Sequence, residues 1–354
     1  PLLLTRDPVF GTDAGAPTAG DASPLPTFFS ATPESGAVVS VLTVMGADGT
    51  VYTNRAFNGV LPVDVAVSLD GTQMAIAAPG GAFTPGLANL VLINGAGAGT
   101  ERDLVIQSGL QLTAVAFDGN GDVLALTREP AQLLLVTSGV VTTIVNLSNT
   151  SREDTGHDVF HTQAGALIAC ASCHPEGGDD GHVWLLDGNQ RRTPSLRGTI
   201  AGTAPYHWPG DEADLPTLVN DVYIVRMGGA QLLGDQMASL TSWVQTIPAP
   251  PAPSWVDPAA AKLGQAIFER SDTACTTCHT GAKFTNNATV DVGTGGAFQV
   301  PPLVGVGWRT PLMHDGCAQT IADRFAGCAT VPHGNISMLS PADISNLSTY
   351  LETL

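Results

Sequence analysis

Two short stretches constrain this chain more than anything else in it. Cys170, Cys173 and His174 form C-x-x-C-H, and the pattern recurs at Cys275, Cys278 and His279. This is the attachment pattern for a c-type haem. Two thiols add across the two vinyl groups of one porphyrin, and the next residue must be an imidazole that reaches the iron. The alternative is a four-cysteine zinc site made from the two C-x-x-C pairs. Those pairs lie much further apart than zinc ribbons place them, and both trailing histidines would go unexplained. The chain therefore reads as the carrier of two covalent haem c groups, with His174 and His279 as proximal iron ligands.

Charge narrows the partners. Acidic residues outnumber basic ones by 32 to 14 in 354 residues, a formal net charge of −18. Such a balance argues against nucleic acid or an anionic membrane surface. It would suit a basic redox partner protein, although a solvated acidic surface is the commoner explanation. No apolar run is long enough for a membrane span. Haem attachment of this kind takes place outside the bacterial cytoplasm, so the expectation is an exported protein, periplasmic or on the cell surface. Of the six cysteines, the motifs use four. Cys317 and Cys328 remain, and in an oxidising compartment a disulfide beside the second haem is their natural reading.

Residues 1–150 contain no cysteine and read as short alternating strands between Gly/Asp turns. Val65 to Ile76 matches Val115 to Leu126: each is a strand, a tight turn and a second strand. Units of this length suggest β-propeller blades; a small β-sandwich with weak internal similarity is the alternative. Leu4-Thr-Arg6-Asp7-Pro8 echoes Leu126-Thr-Arg128-Glu129-Pro130, so the chain reads as starting mid-blade. About three blades can be counted where closed propellers use four to eight, which predicts an upstream segment or companion fragment that completes the ring. Gly11 to Glu34, rich in Pro, Ala, Thr and Gly, reads as a surface loop.

From Ser151 the sequence folds onto itself. Gly156-His-Asp-Val-Phe160 precedes the first motif and Gly264-Gln-Ala-Ile-Phe268 the second. Pro205-Tyr-His207-Trp208-Pro-Gly210 answers Pro311-Leu-Met313-His314-Asp-Gly316, and equal steps onward reach Met227 and His333. Each half ends in an amphipathic helical pattern. Asp257-Pro258 and Ser340-Pro341 mark helix starts. Pro248 to Pro253 cannot continue a helix. The expected plan is thus multidomain: an all-β region of partial propeller blades (1–150), then two mainly α cytochrome c-type haem domains (151–247 and 258–354) joined by a Pro-rich linker (248–257).

With these motifs in view, residues 151–354 resemble the bacterial di-haem cytochrome c peroxidase and MauG-like superfamily. The resemblance rests on the paired C-x-x-C-H motifs, Gly181-His182-Val-Trp184, Arg192-Thr-Pro-Ser-Leu-Arg197, Tyr206-His-Trp208-Pro-Gly210 and Pro311-Leu-Met-His314-Asp-Gly316, with Val292 to Gly296 and Val300 to Leu303 in the second half. It implies electron relay between two haems and peroxide reduction at the first. It also implies His182 as a removable distal ligand of the first haem, Trp208 as a bridge between haems, and a calcium ion between the haem domains.

Several assignments stay open. His182 also reads as a loop histidine among glycines, and Trp208 as ordinary core. His207 could line the first haem's pocket or bind its iron. For the second haem His333 is the first choice as distal ligand, with Met313, His314 and Met338 as further candidates. Where the family has an acid–base glutamate, Arg226 precedes Met227; arginine stabilises negative charge but shuttles protons poorly at neutral pH. Asp211 or Glu212 would have to substitute. Gly198 stands where the family has an asparagine calcium ligand. Besides the peroxidase reading, two others remain: a pure electron-transfer cytochrome docked to a larger assembly, and oxidation of an organic substrate as in MauG-like enzymes.

Overall fold

Strand alternation and tight turns dominate the first part of the computed structural model, which describes residues 2–8, 38–95, 99–186, 188–328 and 333–354. The Gly11 to Glu34 stretch lies outside the described residues. Strands β1 (Leu2–Pro8), β2 (Val38–Met45) and β3 (Val51–Phe57) make one antiparallel sheet. A second is built from β4 (Asp64–Val67), β5 (Gln73–Ala77), β6 (Leu90–Asn94) and β7 (Glu101–Leu104), and a third from β8 (Leu112–Phe117), β9 (Val123–Thr127), β10 (Gln132–Thr137) and β11 (Val140–Asn146). Each is a meander in which chain neighbours pair.

The repeat seen in the sequence is structural. Val65 to Ile76 forms the β4–β5 hairpin and Val115 to Leu126 the β8–β9 hairpin. Both turns need a left-handed residue, supplied by Gly71 (φ 71°) and Gly121 (φ 86°), where a side chain would be strained. Carboxylates close them: Asp70 accepts from the Thr72 N–H at 3.0 Å, and Asp118 from the Asn120 N–H at 2.8 Å.

Period-two alternation buries the middle sheet on both faces. Met74, Ile76, Val91 and Ile93 pack with Leu42 and Phe57, while Ala75, Ala77 and Leu90 pack with Leu112, Val115, Ala125 and Leu134. Polar side chains are buried in this region as well, among them Ser68, Asn89, Gln111 and Thr127. Asn89, 1 % exposed, donates to the carbonyls of Ile106 and Leu110 at 2.9 Å and accepts from the Ile106 N–H at 2.7 Å.

The expected architecture does not hold. Among the described residues the sheets do not close into a propeller, and the later part is not a pair of mainly α domains. Its helices are few and mostly short: α1 (Thr155–His161), α2 (Cys170–Cys173), α3 (Leu215–Val219), α4 (Gly234–Thr246), α5 (Pro258–Phe268), α6 (Asp323–Ala326) and α7 (Pro341–Glu352), with two small hairpins, β12 (Val183–Leu186) with β13 (Asn189–Arg192) and β14 (Thr289–Asp291) with β15 (Ala297–Gln299). The physical reason is the spacing of breakers. Prolines at 175, 194, 205, 209, 216, 301, 302 and 311, and glycines with positive φ at 177, 181, 198, 202, 210, 293, 295, 305 and 316, leave few windows long enough for a helix.

Two compact units share the described residues. One holds 2–8, 38–172 and 223–240; the other holds 173–222 and 241–354. In the second unit α5 and α7 pack Ile267 and Phe268 against Leu347, Tyr350 and Leu351. Their approach depends on Gly264, where an added Cβ would collide with the Asn346 carbonyl oxygen. Both helices start where the sequence marks them: Asp257 accepts from the Ala259 N–H, and Ser340 and Asp343 form a reciprocal capping box.

Candidate functional site

The second C-x-x-C-H motif sits between α5 and the following loops. Ala274, left-handed at φ 59°, turns the chain into a single 3₁₀ turn, Cys275–Thr277. Cys275 and Cys278 are free thiols, and Cys275 packs against the α5–α7 core. His279 is 8 % exposed. Its Nδ1 lies 3.0 Å from the Phe284 carbonyl oxygen, the kind of bond that fixes a ligating histidine's tautomer and leaves Nε2 to the metal.

Across from it stands His333. The two ring centres are 6.0 Å apart. Two metal–imidazole bonds of about 2 Å, each with its ring centre about 1 Å beyond the nitrogen, require about 6 Å. The 6.0 Å between the two rings equals that separation. Burial, then Arg324 and His279, hold the His333 pKa down to about 3, which keeps the ring neutral. Arg324 Nη2 lies 2.9 Å from His333 Nδ1. A guanidinium only donates, so Nδ1 is the acceptor and the ring's proton stands on Nε2. His279 and His333 thus differ: burial lowers the pKa of both, but the Phe284 carbonyl opposes that shift at His279 whereas Arg324 adds to it at His333.

Met313, His314 and Met338 fall elsewhere. Met338 is 78 % exposed and Met313 half-buried. His314 is buried and stacked on Phe298, with ring centres 4.1 Å apart. Cys317 and Cys328 form a disulfide, Cα–Cα 5.4 Å, around the segment that carries Arg324.

At the first motif, Cys170 and Cys173 lie on α2 and neither forms a disulfide. Burial pushes the Cys170 thiol up to about 12. His174 Nδ1 lies 3.3 Å from the Gly178 carbonyl oxygen, and burial lowers its pKa. It matches His279 in the role of its Nδ1. His182 is exposed, its ring 4.8 Å from that of Trp184. Arg226 ends a π-helical turn, Asn220–Arg226, and the buried Met227 follows, its carbonyl accepting from the Ala166 N–H.

The duplicated turn is preserved in detail. Tyr206 bridges Glu212 as Leu312 bridges Ala318, and His207 (φ 74°) and Met313 (φ 73°) hold the same left-handed position. His207 Nδ1 lies 3.0 Å from an Asp211 carboxylate oxygen. With Glu212 these form a metal-competent cluster; Asp315, Cys317 and Cys328 also converge, but the disulfide removes both thiolates, and neither group includes an attachment cysteine.

Within the second unit, the loops from both halves are stitched together. Trp208 donates to the Arg192 carbonyl at 2.8 Å and meets Phe298 and His314 edge-on at 6.2 and 6.1 Å. The Arg192 N–H donates to the His314 carbonyl, and Gln299 to the Thr203 carbonyl, each at 2.6 Å. Lys283 Nζ donates to the Gly198 carbonyl at 2.6 Å. Lys283 thus brings a cation to the backbone of Gly198, the residue that stands where the family has an asparagine. Gly198 has φ 68°, and a Cβ there would meet Ala249 at 2.6 Å, so an asparagine would be strained. Sequence reading passed over Phe298, Arg309, Arg324 and Lys283, because nothing in their local pattern distinguishes them from ordinary loop residues.

No family model and no curated protein matches the chain. Solved structures give partial likeness. A hydrazine synthase from Kuenenia stuttgartiensis, pressurised with 20 bar xenon, is 21% identical over 56% of this chain and 86% of that one, with a TM-score of 0.49. A MauG-like protein associated with microbial copper homeostasis is 16% identical over 59% of this chain and 91% of that one, with a TM-score of 0.46. At these values the likeness carries no argument about function.

Proposed function

We propose that this chain is an exported di-haem c-type cytochrome that relays electrons, related to the di-haem peroxidase and MauG-like proteins its motifs resemble. The observation that carries the reading is the His279–His333 pair, with ring centres 6.0 Å apart and His279 Nδ1 held by the Phe284 carbonyl; to bind the iron, His333 would give up the proton on Nε2. Cys275 and Cys278 would hold the second haem and Cys170 and Cys173 the first, with His174 and His279 proximal. Bound haem supplies a one-electron iron couple, and an iron with both axial positions filled passes electrons rather than binding substrate.

The protein's own part is orientation and exclusion. Phe284 and Gly178 carbonyls aim the proximal rings, while Phe325 and the α5–α7 core keep water from the second site. Trp208, Phe298 and His314 offer an aromatic path through the second unit. Arg226 is a poor proton shuttle, so peroxide reduction is not part of this reading. The acidic surface would suit a basic redox partner. No helix among the described residues is long and apolar enough to cross a membrane.

Intact mass and a haemochrome spectrum of protein produced with a c-type maturation system test the reading. Two covalent haems per chain are expected, and one after Cys275→Ser/Cys278→Ser. A wild-type chain with no covalent haem would end it.

A further inference from the structure

The duplicated turn is built twice in the second unit but furnished differently each time. In the first copy, closed by the Tyr206–Glu212 bridge, the His207 ring and the Asp211 and Glu212 carboxylates bring a nitrogen and two oxygens within 4.8 Å of one another. In the second, closed by the Leu312–Ala318 bridge, the same places hold Met313, the disulfide-bonded Cys317 and Ala318. The backbone therefore makes this turn, left-handed residue included, without an imidazole or a carboxylate at any of the three positions. His207, Asp211 and Glu212 are not its scaffold.

Other contacts hold the turn in place. Tyr206 Oη donates to the Ile200 carbonyl at 3.1 Å and Trp208 Nε1 to the Arg192 carbonyl at 2.8 Å. From the β14–β15 hairpin, the Gln299 N–H donates to the Trp208 carbonyl at 2.9 Å and Thr289 Oγ1 to the Pro209 carbonyl at 3.2 Å. Side chains on so anchored a loop lose little freedom on taking up a ligand. His207 Nδ1 and an Asp211 oxygen are 3.0 Å apart. Two metal–ligand bonds of about 2.1 Å meeting at about 90–110° put their ligand atoms about 3.0–3.4 Å apart, so both can reach one ion with the backbone where it stands. Charge also favours a cation here. Among the described residues the Glu212 carboxylate has no hydrogen-bond donor, and no Lys or Arg forms an ion pair with it or with Asp211. Arg191 stands over the Phe298 ring and feels Asp211 only through space.

We propose that His207, Asp211 and Glu212 bind one divalent first-row transition-metal ion of the zinc class. An imidazole in the set selects against Mg²⁺ and Ca²⁺, and the lack of a thiolate selects against Cu⁺. Two carboxylates with a neutral imidazole cancel the charge of the ion. Asp211 has 57% of its side chain exposed, so water completes the shell on that side. The ion clamps the turn that carries Trp208. This site uses none of the attachment cysteines and does not depend on the haem reading.

The test uses holoprotein stripped with a chelator and dialysed against Zn²⁺ alone, with bound zinc counted by elemental analysis. One zinc per chain is expected, retained in a large excess of Ca²⁺, with an X-ray absorption spectrum that carries the signature of one imidazole. His207→Met and Glu212→Ala copy the residues that the duplicate turn accepts, so each variant should keep the far-ultraviolet circular dichroism of the wild type. Each should weaken zinc binding about tenfold or more, and His207→Met should erase the imidazole signature. Asp211→Asn, nearly isosteric, should weaken binding to a similar degree. A wild type that retains no zinc would overturn the proposal. So would unchanged affinity in His207→Met, or displacement of zinc by Ca²⁺, because the turn would then be acidic surface and nothing more.

Discussion

Removing the charge of Arg324 should lower the potential of the second haem. Arg324 is 6 % exposed and donates to His333 Nδ1 at 2.9 Å. Across the imidazole and one metal bond, its charge stands about 7 Å from an iron held by His333; at an effective dielectric of about 20 the interaction is about 2.4 kcal/mol. For a one-electron couple this corresponds to about 100 mV. Arg324→Met should therefore shift the midpoint down by about 100 mV, measured by spectroelectrochemical titration of the holoprotein. Arg324→Gln should fall nearly as far, since it can keep a hydrogen bond but not the charge. The low-spin signal should persist. An unchanged or raised potential, or a second haem turned high-spin, would refute the argument.

Three further outcomes test the packing. Replacing Cys317 and Cys328 with serine opens a loop with a sequence separation of 11. This should cost about 3 kcal/mol, seen as a lower unfolding midpoint and a loosened second-haem spectrum. Asn89→Ala strands the Ile106 N–H and two carbonyls and should destabilise the first unit by about 3 kcal/mol in a denaturant titration. Gly264→Ala forces apart α5 and α7, because its Cβ would collide with the Asn346 carbonyl oxygen. It should lower stability by about 3 kcal/mol or more, whereas Ala259→Gly on the same helix should cost about 1 kcal/mol.

What could be read in the sequence was what chemistry or turn geometry fixes locally. C-x-x-C-H needs its spacing, and Asp-Gly or Asn-Gly between alternating strands needs its hairpin. The proline-headed helices at 258 and 341 follow from caps, and the paired turns at 206–212 and 312–318 from duplication. The mainly α architecture was misjudged because helical periodicity in α5 and α7 was extended to stretches where proline and glycine forbid it. Propeller closure was misjudged because strand alternation describes how neighbouring sheets pack and says nothing about a ring. Long-range partners were out of reach: Arg324 meets His333 only through the fold, and Lys283 reaches Gly198 from 85 residues away. The disulfide-bonded segment places Arg324, and no local pattern announces that.

The most direct measurement is electron paramagnetic resonance of the fully oxidised holoprotein beside His333→Ala. The account predicts a low-spin, bis-histidine signal for the second haem in the wild type, replaced by a high-spin signal in the variant while both covalent haems remain. A second haem that is high-spin in the wild type, or a low-spin signal unmoved by the substitution, would contradict it.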